Sequence, residues 1–377
     1  MTEKEARRQA IIEIWQAAID AVSGRHAVLN ALDADPVFKP DLIIAVGKAA
    51  SGMCTGALER FPGCDALVVT KYDHVDQSLH EQASVEVIES AHPIPDQNSL
   101  LAGRALLSRI RSMPAGSRVL MLVSGGASAL AEALPEDMTL ADLQAVTDDM
   151  IAGGKTIAEI NSRRKQASLI KDGKLIEAFH GAELRAYAIS DVEGDSISTV
   201  GSGIGDCHRA TADAHSSIIA SNRIAREQAA IKASELGLSV RLNEESLYGD
   251  VFDLALLIGE RMRLAKPGVY IWGGEPTVIL PENPGRGGRN QSLALAASEW
   301  FSGRDNVLLL VAGTDGTDGP TTAAGGLVDG NTWYEDARQY LQNADAGRYL
   351  EQHDSLFVTG PTNTNVMDLV IAIVSGT

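Results

Sequence analysis

Cysteine is scarce in this chain of 377 residues. Cys54, Cys64 and Cys207 are too few and too scattered for a disulfide framework or a zinc site, so they read as reduced thiols of a cytoplasmic protein. Positive charge is short as well. Against 50 Asp and Glu stand 32 Lys and Arg, a net −18 at pH 7, and so acidic a surface repels nucleic acid and anionic membrane. No apolar run approaches the roughly 18–20 residues of a membrane helix. Charges interrupt the opening residues and no small-residue cleavage site follows, so no signal peptide is expected. Familiar motifs are missing too. The nearest approach to G-x-x-x-x-G-K-[ST], at 149–156, lacks its first glycine and follows a helical pattern; Gly201–Asp206 has the wrong spacing for G-x-G-x-x-G. H-E-x-x-H and G-x-S-x-G do not occur.

What remains is ordinary globular composition, 45% hydrophobic and 22% charged, at a length that suits two domains. Strand-length apolar runs at 42–46, 66–70, 85–89, 119–123, 184–190, 269–272 and 307–311 alternate with helical patterns at 97–112, 141–151, 216–236 and 291–301. That rhythm predicts an α/β fold of open sheets covered on both faces. Ala10, Ile11, Ile14, Ala17, Ala18 and Ala21 share one face of an N-terminal helix, which Thr2 and Glu5 cap. Packing is weakest near 239–250. The expected domains are therefore 1–245 and 246–377, with the N-terminal helix free to pack on the second.

Glycines gather immediately after the expected strands, where open α/β sheets bind ligands. Gly47-Lys48 ends one strand and opens a helix, offering backbone N–H groups and a full charge to an anion. Ser124-Gly125-Gly126-Ala127-Ser128 repeats the arrangement with two hydroxyl donors. Asn161, Arg163, Arg164, Lys165, Lys171 and Lys174 form a basic concentration in an acidic chain, which suits an anionic substrate. Asp191, Glu193 and Asp195 end another strand, as turn formers or as contacts to a metal or hydroxyl. In the last third, Glu275 follows two glycines, and Arg286, Arg289 and Asn290 sit in a glycine-flanked loop suited to phosphate oxygens. Asp315 and Asp318 follow the strand at 307–311 and could hold Mg²⁺ or accept a substrate proton; plain Asp-Gly turns are the alternative. Thr359–Asn365 is a further strand-end loop rich in donors.

Taken in order, VGKAASGM, SAHPIPD, VSGGASAL, ISDVEGD, GGEPTV, GRGGRNQSLALA, AGTDGTDGPTTAAG and TGPTNTNVMDL resemble the MOFRL-type glycerate 2-kinase family, some members of which carry a hydroxypyruvate reductase name. The resemblance implies two Rossmann-like three-layer α/β/α domains around a deep cleft, the second being the MOFRL domain. It implies ATP-dependent phosphorylation of D-glycerate at its 2-hydroxyl, with Mg²⁺. Lys48, Arg289 and Asp315 carry over as catalytic positions, with Gly47, the residues of Ser124–Ser128 (Gly125 and Gly126 included), Asn161, Arg164, Lys165, Asp191, Glu275 and Asn290 as ligand contacts and Asp315 with Asp318 at the metal. Gln166, Asp172 and Ile204 depart from the family's pattern on the substrate side, which leaves a related sugar acid as an alternative acceptor.

In the kinase reading Lys48 and Arg289 balance charge on the transferred group, and Asp315 takes the acceptor's proton or ligates the metal. The competing reading is an NAD(P)H-dependent hydroxypyruvate reductase, for which His92 is the one candidate acid. A non-catalytic binder of sugar acids or nucleotides is the third. A homodimer is a candidate assembly, since pairing of copies is common in enzymes of this size.

Overall fold

A run such as Leu42–Val46 is apolar at every position, which only a strand covered on both faces tolerates. In the structure, a computed structural model that describes residues 2–376, five further strands join it. The six are β1 (Leu42–Val46), β2 (Asp65–Lys71), β3 (Val85–Ser90), β4 (Arg118–Val123), β5 (Glu183–Ile189) and β6 (Asp213–Ala220). They form one parallel sheet in the order β3-β2-β1-β4-β5-β6. The order reverses between β1 and β4, whose last residues Val46 and Val123 are in register, so the loops that follow them emerge side by side. Crevices at such a reversal are where doubly wound sheets bind ligands.

Alternate residues serve opposite faces. Leu42, Ile44, Val46, Met121 and Val123 join Leu106 and Ile110 of helix Gln97–Arg111 in one core. Ile43 and Ala45 are equally buried, and helix Ala50–Arg60, itself packed against helix Gly24–Asp33, lies on β1.

The second sheet contains β7 (Val240–Asp250), β8 (Gly268–Thr277), β9 (Val307–Gly313), β10 (Gly325–Asp329), β11 (Leu356–Phe357) and β12 (Asp368–Val374), in the order β11-β10-β9-β12-β8-β7. The α/β class holds here, but the expected Rossmann-like winding does not. Only β7 and β8 pair in parallel; β12 runs antiparallel between β8 and β9, and β10 antiparallel to β9 and β11. One face carries helices Val251–Arg263 and Arg289–Ser298. The other carries helix Asn222–Glu235 packed against the N-terminal helix Glu3–Val22, with Ile11, Ile14 and Trp15 buried.

Compactness therefore divides the chain at Ser221 and Asn222, and the chain up to Val22 belongs with the chain from Asn222 onward. A boundary at 245 would cut β7, which is bound to β8 along its length. The helix expected over 216–236 begins only at Asn222, because the residues before it complete β6. Among the described residues no helix is long and apolar enough to cross a membrane.

Candidate functional site

The turn after β1 is built around Gly47, whose φ of 129° few L residues adopt. A Cβ there would also run into the Ser124 hydroxyl and carbonyl. This close approach ties the two loops together. The N–H of Lys48 donates to the Gly125 carbonyl (2.9 Å), that of Ala49 to Ser124 Oγ (3.0 Å) and that of Ser124 to the Val46 carbonyl (3.0 Å). Gly47 N–H is spent on Val69 and Ala50 N–H on Gly47. The amides expected to cradle an anion are thus satisfied inside the protein, and buried Ser124 ties the two loops by accepting from Ala49.

What the loop presents is the Lys48 side chain, which is partly exposed and has no hydrogen bond or ion pair among the described residues. Its stem and the His92 ring both pass close over Gly126 (φ 83°), where a Cβ would lie 3.1 Å from Lys48 Cγ and 3.1 Å from His92 Cδ2. Burial, and then the charges of Lys48 and Lys71, push the His92 imidazole down to about 4. Asp191, at the end of β5, sets its carboxylate against Gly125, which leaves no room there for a side chain. Ser128 accepts a hydrogen bond from the Ser202 hydroxyl (2.8 Å).

Much of the basic concentration is structural. Lys171 and Glu132 form a fully buried ion pair at 2.5 Å; burial pulls the Lys171 ammonium down and the Glu132 charge opposes it. Lys174 Nζ donates to the carbonyls of Lys165, Gln166 and Ser168, closing the end of helix Ile157–Ala167. Lys165, expected to hold a ligand, donates to the Ser198 carbonyl at 2.7 Å. Arg164 is different. It lines a cavity of about 190 Å³ with Pro93, Ile94 and Pro95, the residues that follow His92. Asn161 stands one turn earlier on the same face of the helix.

In the second unit Arg289 is the first residue of its helix. Its Nε donates to Asp368 Oδ2 (2.6 Å), and Nη1 pairs with the exposed Glu275 (3.1 Å). Burial works against the Arg289 charge, but Asp368 and Glu275 more than offset it and raise its pKa. Arg286, the other arginine of the loop, pairs with Glu351 instead. Asn290 is buried and donates to Asp368 Oδ1 (2.9 Å), so it supports Arg289 from behind rather than meeting a ligand.

Asp318 also departs from expectation. Both carboxylate oxygens are taken, by the N–H groups of Asn290 (3.0 Å) and Gln291 (2.8 Å) and by the Gln291 side chain (2.9 Å). It caps the helix that begins at Arg289, and Gly288 is required because a Cβ would collide with it. Both of its oxygens already serve the fold. Asp315 remains partly exposed; Oδ1 accepts from Thr317 N–H (2.9 Å) and its hydroxyl (3.0 Å), and Oδ2 has no partner among the described residues. The Thr359–Asn365 loop braces it, with Thr362 donating to the carbonyls of Thr314 and Asp315. Among the described residues no three His, Cys, Asp or Glu side chains converge as a metal cage. One open carboxylate oxygen suits Mg²⁺, an ion that keeps waters and takes further ligands from substrate phosphates.

Sequence reasoning missed Asp368. Its signal was an acid at the head of the otherwise apolar run DLVIAIV.

The chain resembles known proteins along most of its length. Residues 10–234 match the model of a domain of unknown function, DUF4147, and residues 268–368 that of the MOFRL family. The D-glycerate 2-kinase of Thermotoga maritima is 33% identical over 99% of this chain and 100% of its own length. The glycerate 2-kinase of Pyrococcus horikoshii is 34% identical over 88% of this chain and 87% of its own. A crystal structure of glycerate kinase from T. maritima superposes with a TM-score of 0.91 at 32% identity, covering 98% of this chain and 100% of that one.

Proposed function

This chain belongs to the MOFRL-type glycerate 2-kinase family, and from that premise we propose that it transfers the terminal phosphoryl group of ATP to the 2-hydroxyl of D-glycerate, giving 2-phospho-D-glycerate and ADP. One observation carries the reading. In a chain with 50 acids and 32 Lys and Arg, the Lys48 ammonium at the sheet's reversal point has been left without a counter-ion among the described residues.

Phosphoryl transfer asks a protein mainly for positioning and for charge placed where the transition state needs it. Lys48 supplies a point charge. Arg289 supplies a planar fork, with its Nε edge already occupied by Asp368 and Nη1 paired with Glu275. Mg²⁺, when bound, neutralises phosphate charge, and Asp315 Oδ2 is the protein oxygen open to it. The same atom could instead accept the proton of the acceptor hydroxyl. Arg164 and Asn161 hold the carboxylate of the acid. His92, held neutral at pH 7 by its burial and by the neighbouring lysines, gives no protonated acid for carbonyl reduction, which counts against the reductase reading.

A cytoplasmic location and a homodimer belong to the same proposal. The three thiols are free, and burial pushes Cys54 up to about 12 and Cys64 and Cys207 up to about 11, so all stay protonated and inert.

A coupled assay tests the function. ADP release with ATP, Mg²⁺ and D-glycerate is expected, with phosphorus NMR locating the phosphate on C2. NADH oxidation by hydroxypyruvate without ADP release would overturn the proposal.

A further inference from the structure

Asp368 heads β12, and its two neighbours across the sheet are both glycines, Gly274 on β8 and Gly313 on β9. At Gly313 a Cβ would collide with the Thr317 carbonyl at 2.6 Å and crowd Asp368 Oδ1 and Asn290 Nδ2, each at 3.3 Å. The missing side chain thus makes space for a buried polar cluster. Asp368 is 1% exposed and spends one oxygen on Arg289 Nε (2.6 Å) and the other on Asn290 Nδ2 (2.9 Å). Nothing in that geometry leaves it an oxygen for a ligand. What it does is select one edge of the guanidinium. With Nε held by Asp368 and Nη1 by Glu275, the fork is restrained from turning about its long axis. Asp318 meanwhile pins the backbone of the same helix turn.

We infer that Asp368 is a positioning residue for phosphoryl transfer: it acts through Arg289, fixing the orientation in which the guanidinium meets the transferred phosphate. The inference rests on the kinase reading above. A buried carboxylate of this kind is a poor stabiliser in itself, because desolvation offsets much of its attraction to Arg289, so its presence at the base of the site calls for a functional account.

The titratable groups facing it are Arg289 and Asp318, with Glu275 beyond the guanidinium. Burial, opposed by Arg289 and Asn290, pushes the Asp368 carboxyl up to about 6. As pH falls through that value Asp368 takes up a proton and releases Arg289, so kcat should show an acid limb there.

The test compares the wild type with Asp368→Asn, which keeps the shape and removes the charge. Asn290 Oδ1, buried with no hydrogen-bond partner, can accept from the new amide if the Asn290 side chain flips, so this variant is expected to fold. Its kcat should drop by roughly 10- to 100-fold at pH 8, as when an aligned charge is lost from a site. The KM for D-glycerate should stay near the wild-type value, and the acid limb near pH 6 should vanish. Asp368→Glu should restore little, because a longer side chain moves the carboxylate. Equal kcat in wild type and Asp368→Asn, or a drop that merely follows a loss of folded protein by circular dichroism, would overturn the inference. Absence of kinase turnover in the wild type itself would instead remove the reading on which it stands.

Discussion

Lys48 and Arg289 represent two ways of presenting a cation. Arg289 is held by two carboxylates, whereas Lys48 is a single ammonium on a flexible stem whose position depends on Gly126 having no side chain. Lys48→Ala should lower kcat by roughly 100- to 1,000-fold, equivalent to ~3–4 kcal/mol of transition-state stabilisation, with a thermal midpoint within a degree or two of wild type because no native contact of the ammonium is lost. Steady-state kinetics beside a melting curve checks both halves, and undiminished turnover would remove Lys48 from the mechanism. The position of Lys48 was legible in sequence, since a Gly-Lys pair after an apolar run reads as strand, turn and helix. The fate of its neighbours was not. Whether Ser124 or the Ala49 N–H faces a ligand or faces the other depends on two strands being in register across the sheet, and residues 47 and 124 carry no local trace of that.

Helix Arg289–Ser298 shows how elements share such work. Its first turn receives the Asp318 carboxylate from the loop after β9, so one of two similar aspartates serves the fold and the other is left for chemistry. Asp318→Ala should therefore destabilise the protein by about 1–2 kcal/mol, the usual range for losing a helix cap, and leave the Mg²⁺ concentration for half-maximal rate unchanged. Asp315→Asn should do the reverse, raising that concentration several-fold with little change in melting. If both variants shift the metal requirement equally, the division of roles is wrong. In the sequence the two residues stand in near-identical Gly-Thr-Asp-Gly and Gly-Thr-Asp-Gly-Pro settings, and only burial tells them apart. Strands were recognisable where apolar residues ran together, as in β1, β4 and β9. β6 and β7 were harder, because their exposure alternates along an edge and their polar residues mimic a helix start or a linker. The antiparallel insertion of β12 between β8 and β9 is a choice of partner, which periodicity does not encode.

Across the whole molecule, the α/β class and the placement of glycine loops at strand ends followed from composition and rhythm, and the division into units did not. A domain boundary leaves a mark in sequence only where packing is thin, and the division at Ser221 and Asn222 falls between the buried end of β6 at Ala220 and a helix whose Asn222, Ala225 and Ala229 are buried. The N-terminal helix makes the point quantitatively. Ile11, Ile14, Trp15, Ile19 and Val22 are all buried in the unit formed by the C-terminal part of the chain. At about 1.5–3 kcal/mol for each large apolar side chain, their combined burial rivals the ~5–15 kcal/mol stability of a typical domain. A chain begun at Ser23 should keep the parallel sheet folded and lose the mixed one, which would appear as protection of β1–β5 and rapid amide exchange in β8, β9 and β12. Uniform protection in both sheets would contradict this.

That helix is made well before the strands that receive it, β9 and β12. Since domains tend to fold as they emerge, residues 23–221 have all they need before β9 and β12 are made. The amphipathic opening segment has no such option. It must wait, its apolar face bare, until helix Asn222–Glu235 and then β9 and β12 have been made, and during that interval it is the natural landing place for a nascent-chain chaperone.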